Sequence, residues 1–341
     1  MGRENPRPKQ VASDGHLRVQ PKTWLHHHNP QAAERLLHLH QEKTMKRTPR
    51  RTKKNKPAII AVSEPAPPQA EEPIRLLFVL ADLHCGSTAG LLPPGMTTAE
   101  DAQPMVQNKW QEWLWECWDR AMRWRDKISA GSKYGLVLNG DLTEGIHHRS
   151  TQVVSGDMAD HVSIAKHVIA PIADAAEKVY IVKGTECHTH SAEVAIGEAI
   201  GAEMNQDTKK RAFDRLHLTA CGVPCVFRHH IGTSMRMSLE ATQLSVILVE
   251  EMAEAVKNGE IPPRIVASAH RHKFGFYQNG RSMCIVSAPW QGLTRHGNKV
   301  VSQARTQPGN YALDWRGITD GELPILHYRT YDTPPQATNV L

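Results

Sequence analysis

Residues 74–84 read Ile-Arg-Leu-Leu-Phe-Val-Leu-Ala-Asp-Leu-His, and the break inside this stretch decides the fold. Ile74–Leu80 is apolar at every position but one, and a short run of this kind fits a strand buried on both faces. At Ala81 it gives way to Asp82-Leu83-His84, a carboxylate and an imidazole two residues apart. In an extended segment residues i and i+2 point to the same side, so both side chains could reach one ion.

Working outward, the same device recurs four times. Tyr134–Leu138 runs into Asn139-Gly140-Asp141, and Val179–Val182 into Gly184-Thr185-Glu186-Cys187-His188. Val223–Phe227 leads to His229-His230, and Arg264–Ser268 leads to His270-Arg271-His272. Gly140 allows a sharp turn that carries the Asp141 carboxylate inward. One such segment is weak, because a buried Asp or His bonded to backbone is commonplace; five in series point to a metal site.

Between these strands the apolar spacing predicts helices over 107–127, 160–177, 191–204 (capped by Ser191) and 238–257. Five of the eight tryptophans lie in the first of these, where packing on a sheet explains them better than a nucleic-acid stacking surface. Further strands are expected near 216–219, 274–278, 282–287 and 324–330. Strand–helix alternation followed by hairpin-spaced strands predicts a layered α/β fold, whose function gathers at the strands' C-terminal ends. Residues 291–341, with Trp290 and Trp315 nearby, either cover the site or close the sheet.

The net charge of +6 conceals an asymmetry. Residues 1–57 hold fourteen Lys/Arg against four Asp/Glu, a balance of +10, which leaves the other 284 residues at −4. The stretch Lys46–Lys56 has no apolar side chain but Pro49 with which to order itself, and it would attract a polyanion. We therefore expect residues 1–72 to be a disordered basic tail and Pro-rich linker, residues 73–333 one catalytic domain, and 334–341 a short C-terminal tail. Nucleic acid is the partner that residues 1–57 would recruit; the alternative is a solvated flexible arm with no partner. No apolar run is long enough to span a membrane, and the N-terminal charges precede no apolar segment of a signal peptide. The six cysteines form no CxxC pair, and Cys221 and Cys225 bracket a hairpin turn; free thiols and a cytoplasmic location are expected.

Taken together the motifs resemble those of the calcineurin-like metallophosphoesterases, which read D-x-H, G-D, G-N-H, H and G-H-x-H in this order. The likeness covers residues 74–290. It implies a four-layer β-sandwich flanked by helices and two divalent ions, with Mn, Fe, Zn and Ni equally suited to the mixed nitrogen–oxygen shells. It also implies hydrolysis of a phosphomonoester or phosphodiester by a metal-bridging hydroxide; the alternatives are a nuclease acting on nucleic acid held by the tail, or a weakened nucleic-acid-binding accessory. By the same resemblance Asp82, His84 and His272 bind the first ion, Asp141 bridges, and His270 with either His229 or His230 binds the second.

Ala269 replaces the usual Gly before H-x-H. The larger departure is Gly184–His188 in place of G-N-H, a form similar to that of bacteriophage-encoded members. Without a gap, Thr185 takes the Asn position and Glu186 that of the His. With local rearrangement, Glu186 ligates the second ion and His188 protonates the leaving group, and this version is preferred because it restores an imidazole. His147, His148 and Arg149 would lie over the site, with Arg149 gripping phosphate oxygens.

Overall fold

The computed structural model describes residues 73–147, 150–189, 191–232, 240–295 and 306–334. Expectations for residues 1–72, and for His148, Arg149 and the C-terminal tail from 335, lie outside the described residues.

Two five-stranded mixed sheets carry the chain. The first contains β1 (Leu76–Leu80), β2 (Gly135–Asn139), β3 (Lys178–Val182), β9 (Gly309–Asp314) and β10 (Ile325–Thr330), in the order β10-β9-β1-β2-β3. Strands β1, β2 and β3 run parallel, while β9 is antiparallel to both β1 and β10. The second contains β4 (Leu216–Ala220), β5 (Val223–Phe227), β6 (Ile265–Ser268), β7 (Gly275–Asn279) and β8 (Ser282–Val286), in the order β4-β5-β6-β8-β7, with β5, β6 and β8 parallel.

Alternation along β1 shows how the layers form. Leu76, Phe78 and Leu80 face a core shared with helices α1 (Lys109–Ser129), α2 (Met158–Ala173) and α4 (Ala192–Ile200). Leu77 and Val79 face the other way, into a core with Phe227, Ile265, Ala267 and Ile285 of the second sheet. On that sheet's outer face Val266, Cys284 and Val286 pack against Leu244, Ile247 and Leu248 of α5 (Glu240–Lys257). The result is helix, sheet, sheet, helix, as the resemblance implied.

Two elements differ from expectation. Strand β9 is an addition: all six of its residues are buried, so no polar alternation marks it. A four-residue helix, α3 (Glu186–Thr189), occupies the third motif. Ser191 precedes α4 but makes no side-chain cap bond, whereas Asn108 and Gln111 form a reciprocal capping box on α1. Trp118 is buried and Trp113, Trp115 and Trp124 pack against the same core, which accounts for most of the tryptophan stripe by packing.

Phe78 is fully buried, edge-on to Trp124 at 5.8 Å and to Tyr134 at 5.0 Å. Phe78→Ala is expected to lower stability by about 3–5 kcal/mol in urea unfolding; a loss under about 1 kcal/mol would mean that this core collapses around the gap.

Candidate metal centre

Each motif follows a parallel strand, at the end of the sandwich where the C-terminal ends of β1, β2, β3, β5 and β6 meet. The backbone there is not extended, contrary to the i, i+2 argument. Asp82, His84, Asp141, His270 and His272 all have positive φ, between 44° and 69°, and they are five of the nine non-glycine residues with positive φ among the described residues. Asp and His tolerate this region better than most residues, and such strain gathers at functional sites. The convergence of Asp82 with His84, and of His270 with His272, therefore comes from left-handed turns.

Backbone bonds hold these turns together. Asp82 N donates to Gly140 O at 2.9 Å and His84 N to Asp141 O at 3.0 Å, so the first two motif loops run side by side beyond their strands. The second sheet is tied in by His270 N, which donates to Asp82 Oδ2 at 3.2 Å, while Ala269 N donates to His229 O at 2.9 Å and joins that sheet's own two motif loops. Gly140 has φ +85°, and a Cβ there would lie 2.4 Å from His229 Nδ1. Glycine is thus needed both for the turn and to let the imidazole approach.

The side chains gather in two triads, Asp82–His84–His272 and Asp141–His229–His270, in each of which one donor atom per residue lies within 4.8 Å of the others. The triads abut. Asp141 Oδ2 is 3.0 Å from His229 Nε2 and 3.8 Å from His84 Nε2. Asp82 Oδ1 lies 3.5 Å from His272 Nε2, 3.8 Å from His229 Nε2 and 3.9 Å from His84 Nε2. This oxygen is fully buried and has no hydrogen-bond partner, an expensive state for a carboxylate unless a cation completes its surroundings. The donor set therefore fits divalent ions.

The two adjacent histidines differ in burial. His229 is buried, its Nδ1 donates to Asn139 O at 2.8 Å, and its Nε2 faces the carboxylates. His230 is exposed and lies outside both triads, its ring 4.7 Å from that of His270. Glu186 is also exposed, at the start of α3, and belongs to neither triad, so its expected place as a ligand is not supported by its position. Thr185 is what reaches the second triad: its N–H donates to Asp141 Oδ1 at 2.6 Å, and its hydroxyl lies 3.2 Å from Asp141 Oδ2 and 3.3 Å from His270 Nδ1. The ungapped alignment of the third motif describes Thr185 better than the rearranged one.

His188 Nδ1 donates to Glu144 O at 2.7 Å, and its ring stands edge-on to that of His84 at 4.8 Å. A carbonyl can only accept, so the Nδ1 of His188 carries the proton. Burial and then the charge of His84 push this imidazole down to about 4. With no ion bound it is therefore uncharged near neutral pH, with a lone pair on Nε2.

Three supporting residues escaped sequence reasoning. Glu144 is buried, its Oε2 2.9 Å from His84 Nδ1, and it accepts from Gln291 Nε2 at 2.6 Å. A carboxylate behind a histidine fixes the tautomer that presents Nε2 forward. Its position three residues after Asp141 was the only signal. Glu193, fully buried in α4, accepts from Gly184 N at 2.8 Å; burial, then the Asp141 charge, push it up to about 8.

No protein family profile and no curated protein matches the chain. Solved structures do match. An archaeal phosphodiesterase is 9% identical, with a TM-score of 0.36, over 75% of this chain and 99% of that one. Vps29 from Entamoeba histolytica, complexed with zinc, is 11% identical with a TM-score of 0.35, over 75% and 99%. A predicted phosphoesterase from Streptococcus pneumoniae is 9% identical with a TM-score of 0.30, over 75% and 97%.

Burial alone would lower His229, but the Asp141 carboxylate outweighs it and raises the imidazole from 6.5 to about 10. With a raised folded-state value, this group's contribution to the stability of the ion-free protein is complete below pH 6.5 and is lost as the pH climbs toward about 10. Cation affinity must run the other way, since binding needs the neutral ring. At about pH 8, uptake of Zn²⁺ is expected to release close to one proton from His229, read from calorimetric heats in buffers of different ionisation enthalpy. Release unchanged in His229→Asn would contradict this assignment.

In the order of its motifs, in the two-sheet fold that carries them and in the gathering of their side chains into abutting triads, the chain resembles the calcineurin-like metallophosphoesterases.

Proposed function

We propose that the chain is a metal-dependent phosphoric ester hydrolase with two divalent-cation positions, one at Asp82, His84 and His272 and the other at Asp141, His229 and His270. The observation that carries this reading is the place of Asp141 Oδ2 between imidazoles of both triads, 3.0 Å from His229 Nε2 and 3.8 Å from His84 Nε2. A carboxylate so placed can be shared by two ions. Bound there, the ions would neutralise the phosphoryl oxygens and lower the pKa of an attacking water.

The protein's own groups arrange that chemistry. Glu144 holds His84 with its Nε2 forward, and Asn139 O does the same for His229. Thr185 offers a neutral hydroxyl where the related motif has an amide oxygen, a poorer donor, so the second position should bind its ion more weakly than the first. His188 near neutral pH can accept a proton or a hydrogen bond from water; the leaving group draws its proton from elsewhere. His148 and Arg149 lie outside the described residues, and a grip by Arg149 on the phosphate remains part of the proposal. The substrate is a phosphomonoester or phosphodiester. A nucleic-acid phosphodiester is favoured by the +10 charge of residues 1–57.

Hydrolysis of bis-p-nitrophenyl phosphate with Mn²⁺ tests the reading. Asp141→Asn, with its fold checked by circular dichroism, should lose more than the roughly 10–100-fold that removal of an outer partner costs. His188→Ala at neutral pH should lose less than Asp141→Asn. Turnover retained in a folded Asp141→Asn protein, or no turnover by the unaltered chain with any of Mn, Fe, Zn or Ni, would reject it.

A further inference from the structure

Beside the two triads stands another set of donors, belonging to neither of them, of which the hydrolytic reading uses only His188. His147, Cys187 and His188 each offer one ligand atom, all within 4.8 Å of one another. A tetrahedral zinc ion, with bonds of about 2.0–2.3 Å, holds its ligand atoms roughly 3.5 Å apart. Small side-chain rotations would close the set on one ion. All three residues are half-buried, so an ion can enter from solvent.

The set is built by two segments pressed together. Thr143 Oγ1 donates to His188 O at 3.0 Å, and His188 Nδ1 donates to Glu144 O at 2.7 Å. Between them Gly145 has φ +73°, and a Cβ there would lie 2.5 Å from His188 O and 2.7 Å from Cys187 O, so only glycine permits the approach. The rings of His147 and His188 meet edge-on, with centroids 4.2 Å apart. The bond from His188 Nδ1 to a backbone carbonyl is the outer support that metal-binding histidines commonly have, and it leaves Nε2 as the donor.

We propose that His147, Cys187 and His188 form a third cation site, selective for thiophilic divalent ions such as Zn²⁺, Co²⁺ and Cd²⁺ over Mn²⁺ and Mg²⁺. Its donors are two imidazole nitrogens and a thiolate, whereas the triads contain only nitrogen and oxygen. The Cys187 proton passes to solvent as the ion binds. Resting on the hydrolase reading, we add a consequence: an ion here occupies His188 beside His84, so zinc in excess of two equivalents inhibits hydrolysis.

Co²⁺ titration of the full chain separates the site from that reading, because only sulfur ligation gives the intense near-ultraviolet thiolate-to-cobalt absorption. The unaltered protein should develop this band, and Cys187→Ser should lose it together with one bound equivalent. His147→Gln should weaken the corresponding affinity about tenfold or more. Cys187→Ser should keep basal hydrolysis and escape inhibition by excess zinc. Cobalt bound without the band, or a band that survives Cys187→Ser, overturns the site whatever the activity. A Cys187-dependent band in a protein with no hydrolysis upholds the site and rejects only the hydrolase reading, while excess zinc that inhibits Cys187→Ser equally overturns the inhibitory consequence.

Discussion

Two carboxylates buried at one end of a protein core must be neutralised, and the rest of this structure is arranged around that requirement. Asp82 and Asp141 are both essentially inaccessible, and among the described residues each faces several imidazoles and not a lysine or arginine. Without cations, shared protons do the work: His229 is driven up by Asp141, while His270 is driven down to about 4 by burial and the charge of His229. One imidazole holds a proton so that its neighbour need not. Cations bound at such an arrangement would exchange with protons.

The supports extend well past the two triads. Glu144 touches His84, His147 and Gln291, and through its carbonyl also His188, so it connects the first triad to the thiol-containing cluster. Glu193 reaches from α4 to the Gly184 amide of the third motif loop. Both are carboxyls inside the protein, yet they differ: Glu144, bonded by imidazoles that outweigh its burial, is held down to about 2, while Glu193 is pushed up to about 8 by burial and then by the Asp141 charge. Whether bonded imidazoles offset the cost of burial decides which of these acids stays ionised.

Much of this was legible from residues alone. The apolar runs before Asp82, Asp141, Gly184, His229 and His270 identify the parallel strands, because a strand covered on both faces needs no polar alternation. Side-chain chemistry likewise marks the motif ends. The choice between His229 and His230 was not legible, since a one-residue shift at the end of a strand exchanges the buried and exposed faces. Nor was the left-handed backbone at Asp82, His84, Asp141, His270 and His272, which depends on bonds between loops far apart in sequence. Strand β9 was missed for a related reason: Asn310 and Asp314 look like surface residues until β1 and β10 cover them.

Strand β9 also sets an order of assembly. In the first sheet β1 lies between β2 and β9, so Phe78 is paired with Leu136 on one side and with Ala312 on the other. During synthesis β1 emerges long before β9, and for that interval one side of the strand that positions Asp82 has open backbone donors and acceptors. A nascent chain extending only to His272 would already hold every residue of both triads and of the third cluster, yet its central strand would still be an edge, exposed to mispairing. Closure of the sheet by β9 and β10, late and long-range, is then the step that separates having these residues from holding them in place.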